Sequence, residues 1–293
     1  MSIKNFSFKQ IKEKAEYIRK ILLSKDLYWG SNLRNDYRTF MEINEYAPLI
    51  GTICDERINA DDAWNFPFWL HKKMEKQGQK FNLESLLHQN FEEELREYLK
   101  DKWPKGMREK DRENYLRRIP KYLEEALKYF RRNNSSPVDL FENRAYSALE
   151  IYFTLRRIPG IGPKKANMIT RDFIYISKGK EDPTGWFTQI KRKKPHFKVE
   201  RENLLDMPID VHVIKVFNRI FGRFKANWRQ DLPNYTLDVI AFSKLVCPEF
   251  PAKLDELFWK VGREYCHEYS PKCNDCHLNE ICEIGKRNKS PIE

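Results

Sequence analysis

Leu155-Arg156-Arg157-Ile158-Pro159-Gly160-Ile161-Gly162-Pro163-Lys164-Lys165-Ala166-Asn167 is the most informative stretch of the chain. The segment before the turn, Arg144 to Arg156, is compatible with a helix, and so is Lys164 to Ile174. Between them, Pro159 to Gly162 carries two glycines, which permit positive φ and close backbone approach. Pro163 suits the first turn of the second helix, where its missing N–H costs nothing. Amides left unpaired by the turn and the helix start can donate to a phosphate. An ordinary αα-hairpin with a Gly-rich turn is the plain alternative, and Gly-x-Gly alone would favour it. The full string, with helices on both sides, points to a DNA-backbone contact through Pro159, Gly160, Ile161, Gly162 and Lys165. Such contacts position a protein without reading sequence.

The rest of the chain suits a polyanionic partner. Its 293 residues include 54 Lys and Arg against 43 Asp and Glu, a net charge of +11. A protein this basic commonly meets nucleic acid. Hydrophobic residues make up 41%, enough for a core and too many for a disordered chain. No apolar run approaches the ~18 residues that span a membrane. Met1 to Lys14 is charged and lacks a secretory apolar region. The expectation is therefore a cytoplasmic protein, nucleoid-associated in a prokaryote, with no membrane partner.

The hydrophobic pattern is helical nearly throughout, which predicts an all-α fold. Ser7-x-x-Gln10 reads as a capping box, followed by Phe8, Ile11, Ala15, Ile18 and Leu22 at helical spacing. Leu123, Ala126, Leu127 and Phe130 repeat that spacing. Ser136-Pro137 reads as an N-cap with proline at the first helical position. Leu254, Leu257, Phe258, Val261 and Tyr265 form a stripe that runs into Cys266. Residues 177–206 break the pattern with Gly179, Pro183, Gly185, Pro195 and the basic run Lys191-Arg192-Lys193-Lys194. That segment reads as an inserted loop or short hairpin able to meet DNA.

Four of the six cysteines fall in the last 28 residues. Cys266, Cys273, Cys276 and Cys282 are spaced C-x6-C-x2-C-x5-C. Four thiolates so close suit a tetrahedral zinc or an iron–sulfur cluster, and the spacing alone leaves both open. Cys54 and Cys247 lack paired spacing and read as packing residues.

Together these motifs resemble the endonuclease III superfamily of helix-hairpin-helix DNA glycosylases. The string around Gly160 is similar to that family's hairpin. Pro208-Ile209-Asp210-Val211-His212-Val213-Ile214 is similar to the segment that carries its catalytic aspartate. Phe258-Trp259-Lys260-Val261-Gly262-Arg263 continues the match into the cysteine loop. The resemblance implies two lobes. A six-helix barrel over 46–176 ends in the hairpin, and a cluster domain joins 1–45 to 207–293, with 177–206 as a basic insertion. It also implies a [4Fe-4S] cluster on the four cysteines, with zinc as the alternative. A monomer is implied, acting on double-stranded DNA that holds a lesion, a modified base or an abasic site.

By that resemblance Lys164 and Asp210 form the catalytic pair. The base is flipped into a pocket. Cleavage of the glycosidic bond builds positive charge at the sugar C1′, which the Asp210 carboxylate stabilises. Lys164 attacks C1′ as a neutral amine to give a Schiff base, and elimination nicks the strand. Asp210 also reads as an N-cap for a helix from Val211 to Ile220, and both roles are compatible. Asp55, Glu56 and Arg57 align with the family's pocket or wedge segment, with Glu56 where a glutamine is usual. Glu56 either accepts a hydrogen bond from a base, or Arg57 forms the wedge while Asp61 and Asp62 favour a helix start. The departure at Glu56 and the insertion both weaken any transfer of substrate from endonuclease III. A monofunctional glycosylase, a non-catalytic DNA-binding protein and a zinc-binding regulator are the competing classes.

Overall fold

The structure, a computed structural model, describes residues 3–24, 35–182, 184–222 and 228–289. Two compact units are present: residues 1–29 with 201–293, and residues 30–200. Helix α1 (Phe8–Ser24) opens the first unit. The Ser7 capping box is formed as the sequence predicts: the Gln10 amide donates to Ser7 Oγ at 3.3 Å, and the Ser7 amide to Gln10 Oε1 at 2.9 Å.

The larger unit runs through α2 (Asn35–Ile43), α3 (Tyr46–Cys54), α4 (Ala60–Lys76), α5 (Leu83–Leu87), α6 (Phe91–Tyr98) and α7 (Glu109–Arg132). Strand β1 (Ala145–Ser147) then leads into α8 (Ala148–Arg156), α9 (Pro163–Ser177), α10 (Trp186–Lys193) and β2 (Lys198–Glu200). Residues Ala47 to Cys54 of α3 are all buried, so α3 has no polar face and serves as the unit's central helix. Helices α4, α7 and α2 pack around it. Helix α7 is amphipathic: Tyr115, Leu116, Ile119, Leu123, Ala126, Leu127 and Phe130 are buried while Arg117, Lys121 and Lys128 are exposed. Each large apolar side chain so buried contributes ~1.5–3 kcal/mol.

Two segments differ from their sequence reading. Ser136-Pro137 opens a turn and not a helix. Asp139 Oδ2 accepts from the Ser136 amide at 2.9 Å and from its hydroxyl at 2.7 Å, a local bond that competes with helix formation. The next helix begins at Ala148, on a complete capping box between Ser147 and Glu150. The three residues before it form β1, which pairs in parallel with β2. The fold is all-α apart from this short ladder.

The 177–206 segment also holds more structure than a loop. Pro183 lies outside the described residues. Asp182, only 8% exposed, accepts from the amides of Thr184, Gly185 and Thr188. Gly185 has φ +69, and a Cβ there would stand 2.7 Å from the Met41 carbonyl carbon. Helix α10 thus begins pressed against the backbone of α2, with Trp186, Phe187 and Ile190 buried. Because α2 packs on α10 and α4, the chain divides at 29/30 and 200/201.

The smaller unit is completed by α11 (Val211–Ile220), α12 (Trp228–Val246), α13 (Leu254–Glu264) and α14 (Glu283–Lys289). Helices α11 and α13 approach closely because Gly262 has no side chain. A Cβ there would stand 2.7 Å from His212 Cβ. The Lys14 ammonium of α1 reaches Glu283 at 2.7 Å at the head of α14. No described helix is long and apolar enough to cross a membrane.

Candidate nucleic-acid interface and cysteine loop

In the larger unit, α8 and α9 flank the Pro159–Gly162 turn, as the hairpin reading expects. Its two glycines serve different ends. Gly160 has φ +84, and a Cβ there would lie 2.8 Å from Tyr122 Cβ and 3.3 Å from Ile53 Cγ2. It is glycine because the turn presses on α7 and α3. Gly162 has φ −79 and is the N-cap of α9, without a side-chain cap. A Cβ there meets nothing within 4 Å. The start of α9 therefore has no side-chain cap and open space beside its N-cap residue, at the positive end of the helix dipole. Ile161 is 2% exposed, so only its backbone is available to a ligand, and its carbonyl accepts from Arg156 at 2.7 Å.

Lys164 lies half-buried in the first turn of α9. Lys165 corrects its sequence reading as a DNA-backbone contact. It is 6% exposed, and its Nζ donates to the Ile53 carbonyl at 2.7 Å. That carbonyl belongs to the last turn of α3, where helix carbonyls lack amide partners and a cation is favourable. The Tyr115 hydroxyl donates to the neighbouring Cys54 carbonyl at 2.9 Å. Burial lowers the Lys165 pKa, an effect opposed by Glu56 and Asp55. Lys165 thus fastens the hairpin to α3.

Asp55, Glu56 and Arg57 form the turn from α3 to α4, beside the same hairpin. Glu56 is bonded to Arg118 of α7 and lies 4.0 Å from Arg57 Nε. Arg57 has φ 62 and lies 3.5 Å from Asp111. Asp61 and Asp62 do occupy the first turn of α4. The basic run lies on α10 and its C-cap. Lys191 donates to the Pro195 carbonyl at 2.5 Å, Arg192 to the Glu42 carbonyl at 3.3 Å, and Lys193 pairs with Glu45.

In the smaller unit Asp210 caps α11. Its Oδ1 accepts from the amides of His212 at 2.8 Å and Val213 at 2.9 Å. Both bonds fall on one oxygen, so Oδ2 is spared for another task. Burial lowers the pKa of His212 beside it, and His212 Nδ1 has no partner among the described residues.

The four cysteines line one small cavity of about 20 Å³. Sequence reasoning gave no part to Arg219, which is 2% exposed. Its guanidinium donates to Cys266 Sγ at 3.1 Å and to the His267 carbonyl at 2.8 Å. A signal was present, since Arg219 interrupts the buried stripe of Val216, Phe217 and Ile220. Backbone amides also aim at sulfur, Leu278 to Cys276 at 3.5 Å and Gly285 to Cys282 at 3.4 Å. Burial raises the pKa of the Cys266 and Cys282 thiols and pushes Cys276 up to about 11. Four sulfurs around one cavity, one with a cationic donor and two with amide donors, fit a thiolate-held metal group. Among the described residues, no three Cys, His, Asp or Glu side chains are grouped closely enough to hold a single ion. Cys54 and Cys247 are buried, in keeping with a packing role.

No protein-family model and no curated protein sequence matches the chain. Solved structures do. A non-covalent endonuclease III–DNA complex aligns with a TM-score of 0.54 at 15% identity, over 97% of this chain and 98% of that one. A trapped endonuclease III–DNA covalent intermediate, an estranged-adenine complex, aligns at 0.52 and 15% identity over 97% and 100%. A thermostable thymine-DNA glycosylase aligns at 0.48 and 13% identity over 97% and 99%. The chain has the helix-hairpin-helix fold of endonuclease III. At such identity the likeness speaks for the fold, and activity must be argued from the site.

Proposed function

We propose that the protein is a DNA glycosylase that removes a damaged, modified or mismatched base, with strand cleavage through a Schiff base on Lys164. The observation that carries this reading is the start of α9. No side chain caps that helix start, a Cβ at Gly162 would meet nothing within 4 Å, and Lys164 is the second residue of the same helix. A phosphate held on the amides there would bring a neighbouring sugar to the amine. Endonuclease III, whose fold this is, has been trapped as a covalent intermediate with DNA. Here the bond would form between Lys164 Nζ and C1′ as the base departs. Asp210 would stabilise the charge developing at C1′ through Oδ2 while Oδ1 holds α11. Residues 46–176 would form the barrel that carries the hairpin, and 207–293 the domain that carries Asp210.

Cys266, Cys273, Cys276 and Cys282 would hold a [4Fe-4S] cluster, supported by the cavity they share and by the Arg219 and amide donors. When bound, such a group supplies a rigid, charged scaffold for the loop, and the base-excision steps belong to the side chains. Asp55, Glu56 and Arg57 would border the space for the extruded base.

The test is a panel of duplexes carrying oxidised pyrimidines, alkylated purines, mismatches and abasic sites, incubated with protein and borohydride. The expected result is base release and a covalent protein–DNA adduct that Lys164→Ala lacks. An adduct that persists in Lys164→Ala overturns the assignment of the nucleophile. Base release without any adduct makes the enzyme monofunctional. Absence of release and nicking on every substrate leaves a binding protein.

A further inference from the structure

The polar face of α7 holds a feature that the base-excision reading uses only at Arg57. Asn114, Arg117, Arg118 and Lys121 follow at i, i+3, i+4 and i+7, so they share one helix face. An exposed stripe of this kind is ordinarily just a solvated surface. Here it borders a cavity of about 430 Å³ that Arg57 also lines. That volume is in the range of small-ligand sites.

Four of the five lining side chains are cationic, and their neutralisation is incomplete. Arg118 is bonded to Glu56, and Arg57 lies near Glu56 and Asp111. Lys121 has only Glu125, at 3.9 Å on the exposed surface, a pair that contributes little. Arg117 bonds to Asn114 Oδ1 at 3.4 Å and meets no carboxylate among the described residues. Arg118 Nε is buried with no hydrogen-bond partner among the described residues. Arg57 also holds a left-handed backbone, φ 62, a conformation costly outside glycine and concentrated at functional sites. Like charges gathered around a concavity repel one another unless an anion joins them.

We propose that the cavity between Arg57 and the Asn114–Lys121 face of α7 is a binding site for a phosphate group. Guanidinium groups of Arg117 and Arg118 suit phosphate oxygens through paired N–H donors, and Lys121 adds a point charge. The phosphate has two possible sources, the backbone of the bound duplex or a free phosphate monoester. Only the first rests on the DNA-glycosylase reading.

The test uses the full-length protein and the exposed pair Arg117→Ala with Lys121→Ala, which leaves the α7 core face intact. Circular dichroism checks that the fold is kept, and Arg117→Lys provides a conservative partner variant. Inorganic phosphate and a nucleoside monophosphate are titrated by ³¹P NMR. Duplex affinity is measured across a salt series. A duplex source predicts that the double variant lowers the log–log salt slope by about one, the loss of one phosphate contact. A free source predicts that binding of the monophosphate weakens at least tenfold while the duplex slope stays fixed. Either result supports the site. If the wild-type protein binds no duplex, the DNA reading falls and the phosphate titration alone decides. Unchanged phosphate binding together with an unchanged slope overturns the proposal and makes the stripe a solvated surface.

Discussion

Adjacent lysines with opposite surroundings show what a single residue contributes. Lys164 and Lys165 are adjacent in sequence, where the first reads as the nucleophile and the second as a backbone contact. A helix rotates about 100° between neighbours, so one ammonium is left half-exposed and the other enters the core to bond the Ile53 carbonyl. That direction depends on where α3 ends, which the local string does not encode. Lys165→Met should therefore lower stability by about 1–3 kcal/mol, the cost of leaving a buried acceptor unpaired. Protein that remains folded should still form the borohydride adduct. Urea midpoints and adduct yields measured together check this, and lost trapping at an unchanged midpoint would place Lys165 at the sugar instead. Asp210 poses the same question of two roles on one side chain. Asp210→Asn keeps an acceptor for the His212 and Val213 amides but loses the charge. It should slow base excision by on the order of 10²–10³ with little effect on melting. Asp210→Ala should add a capping loss of about 0.5–2 kcal/mol. Single-turnover rates and melting curves separate the two, and an Asn variant at full rate removes Asp210 from the chemistry.

Elements with strong local signals were the legible ones. The Ser7 box, the apolar stripe of α7, proline at the head of α9 and the run of α13 into Cys266 each state their structure within a few residues. What was hidden depends on distant partners. Residues 145–147 become a strand only because residues 198–200 come alongside. The insertion gains order only because Gly185 and Gln189 meet the backbone of α2 at Met41. Arg219 acquires its task only when the cysteine loop folds over it. The hairpin turn is the element where local and distant constraints can be pulled apart. Gly160→Ala should destabilise the protein by about 1–2 kcal/mol for its positive φ, and by a further 1–3 kcal/mol for the clash with Tyr122. Gly162→Ala has a compatible φ and open space, so stability should hold or rise by about 0.4–1 kcal/mol. A methyl there would obstruct the amides of α9, so duplex affinity should fall. Melting temperature and affinity at one salt concentration are the readouts. Loss of stability at Gly162 with affinity unchanged would mean that the turn does not face DNA.

At the scale of the whole molecule, the two units draw on different sources of stability. The large hydrophobic core, from Phe40 to Phe197, lies entirely within the larger unit. In the smaller unit, residues 266–282 contain little regular structure, and α14 is tied to α1 by the Lys14–Glu283 pair and to α11 by packing. Three half-buried thiols, Cys266, Cys276 and Cys282, carry a cost in this loop, because burial disfavours the thiolates that a metal group would require and stabilise. Binding energy of a cluster is then folding energy for this unit alone. Protein purified anaerobically should be yellow-brown, with about four irons per chain. Removal of the metal should reduce amide protection in α11, α13 and α14 while α3 and α7 keep theirs. Hydrogen exchange read by mass spectrometry resolves the two sets. Stoichiometric zinc without iron would replace the cluster by a tetrahedral site but keep the pattern of lost protection. Equal loss in α3 and α11 would mean that the units unfold as one and that the larger core does not stand alone. Protection unchanged throughout would make the cysteine loop dispensable to the fold, and the packing of α11 against α13 at Gly262 would then suffice to hold Asp210 in place.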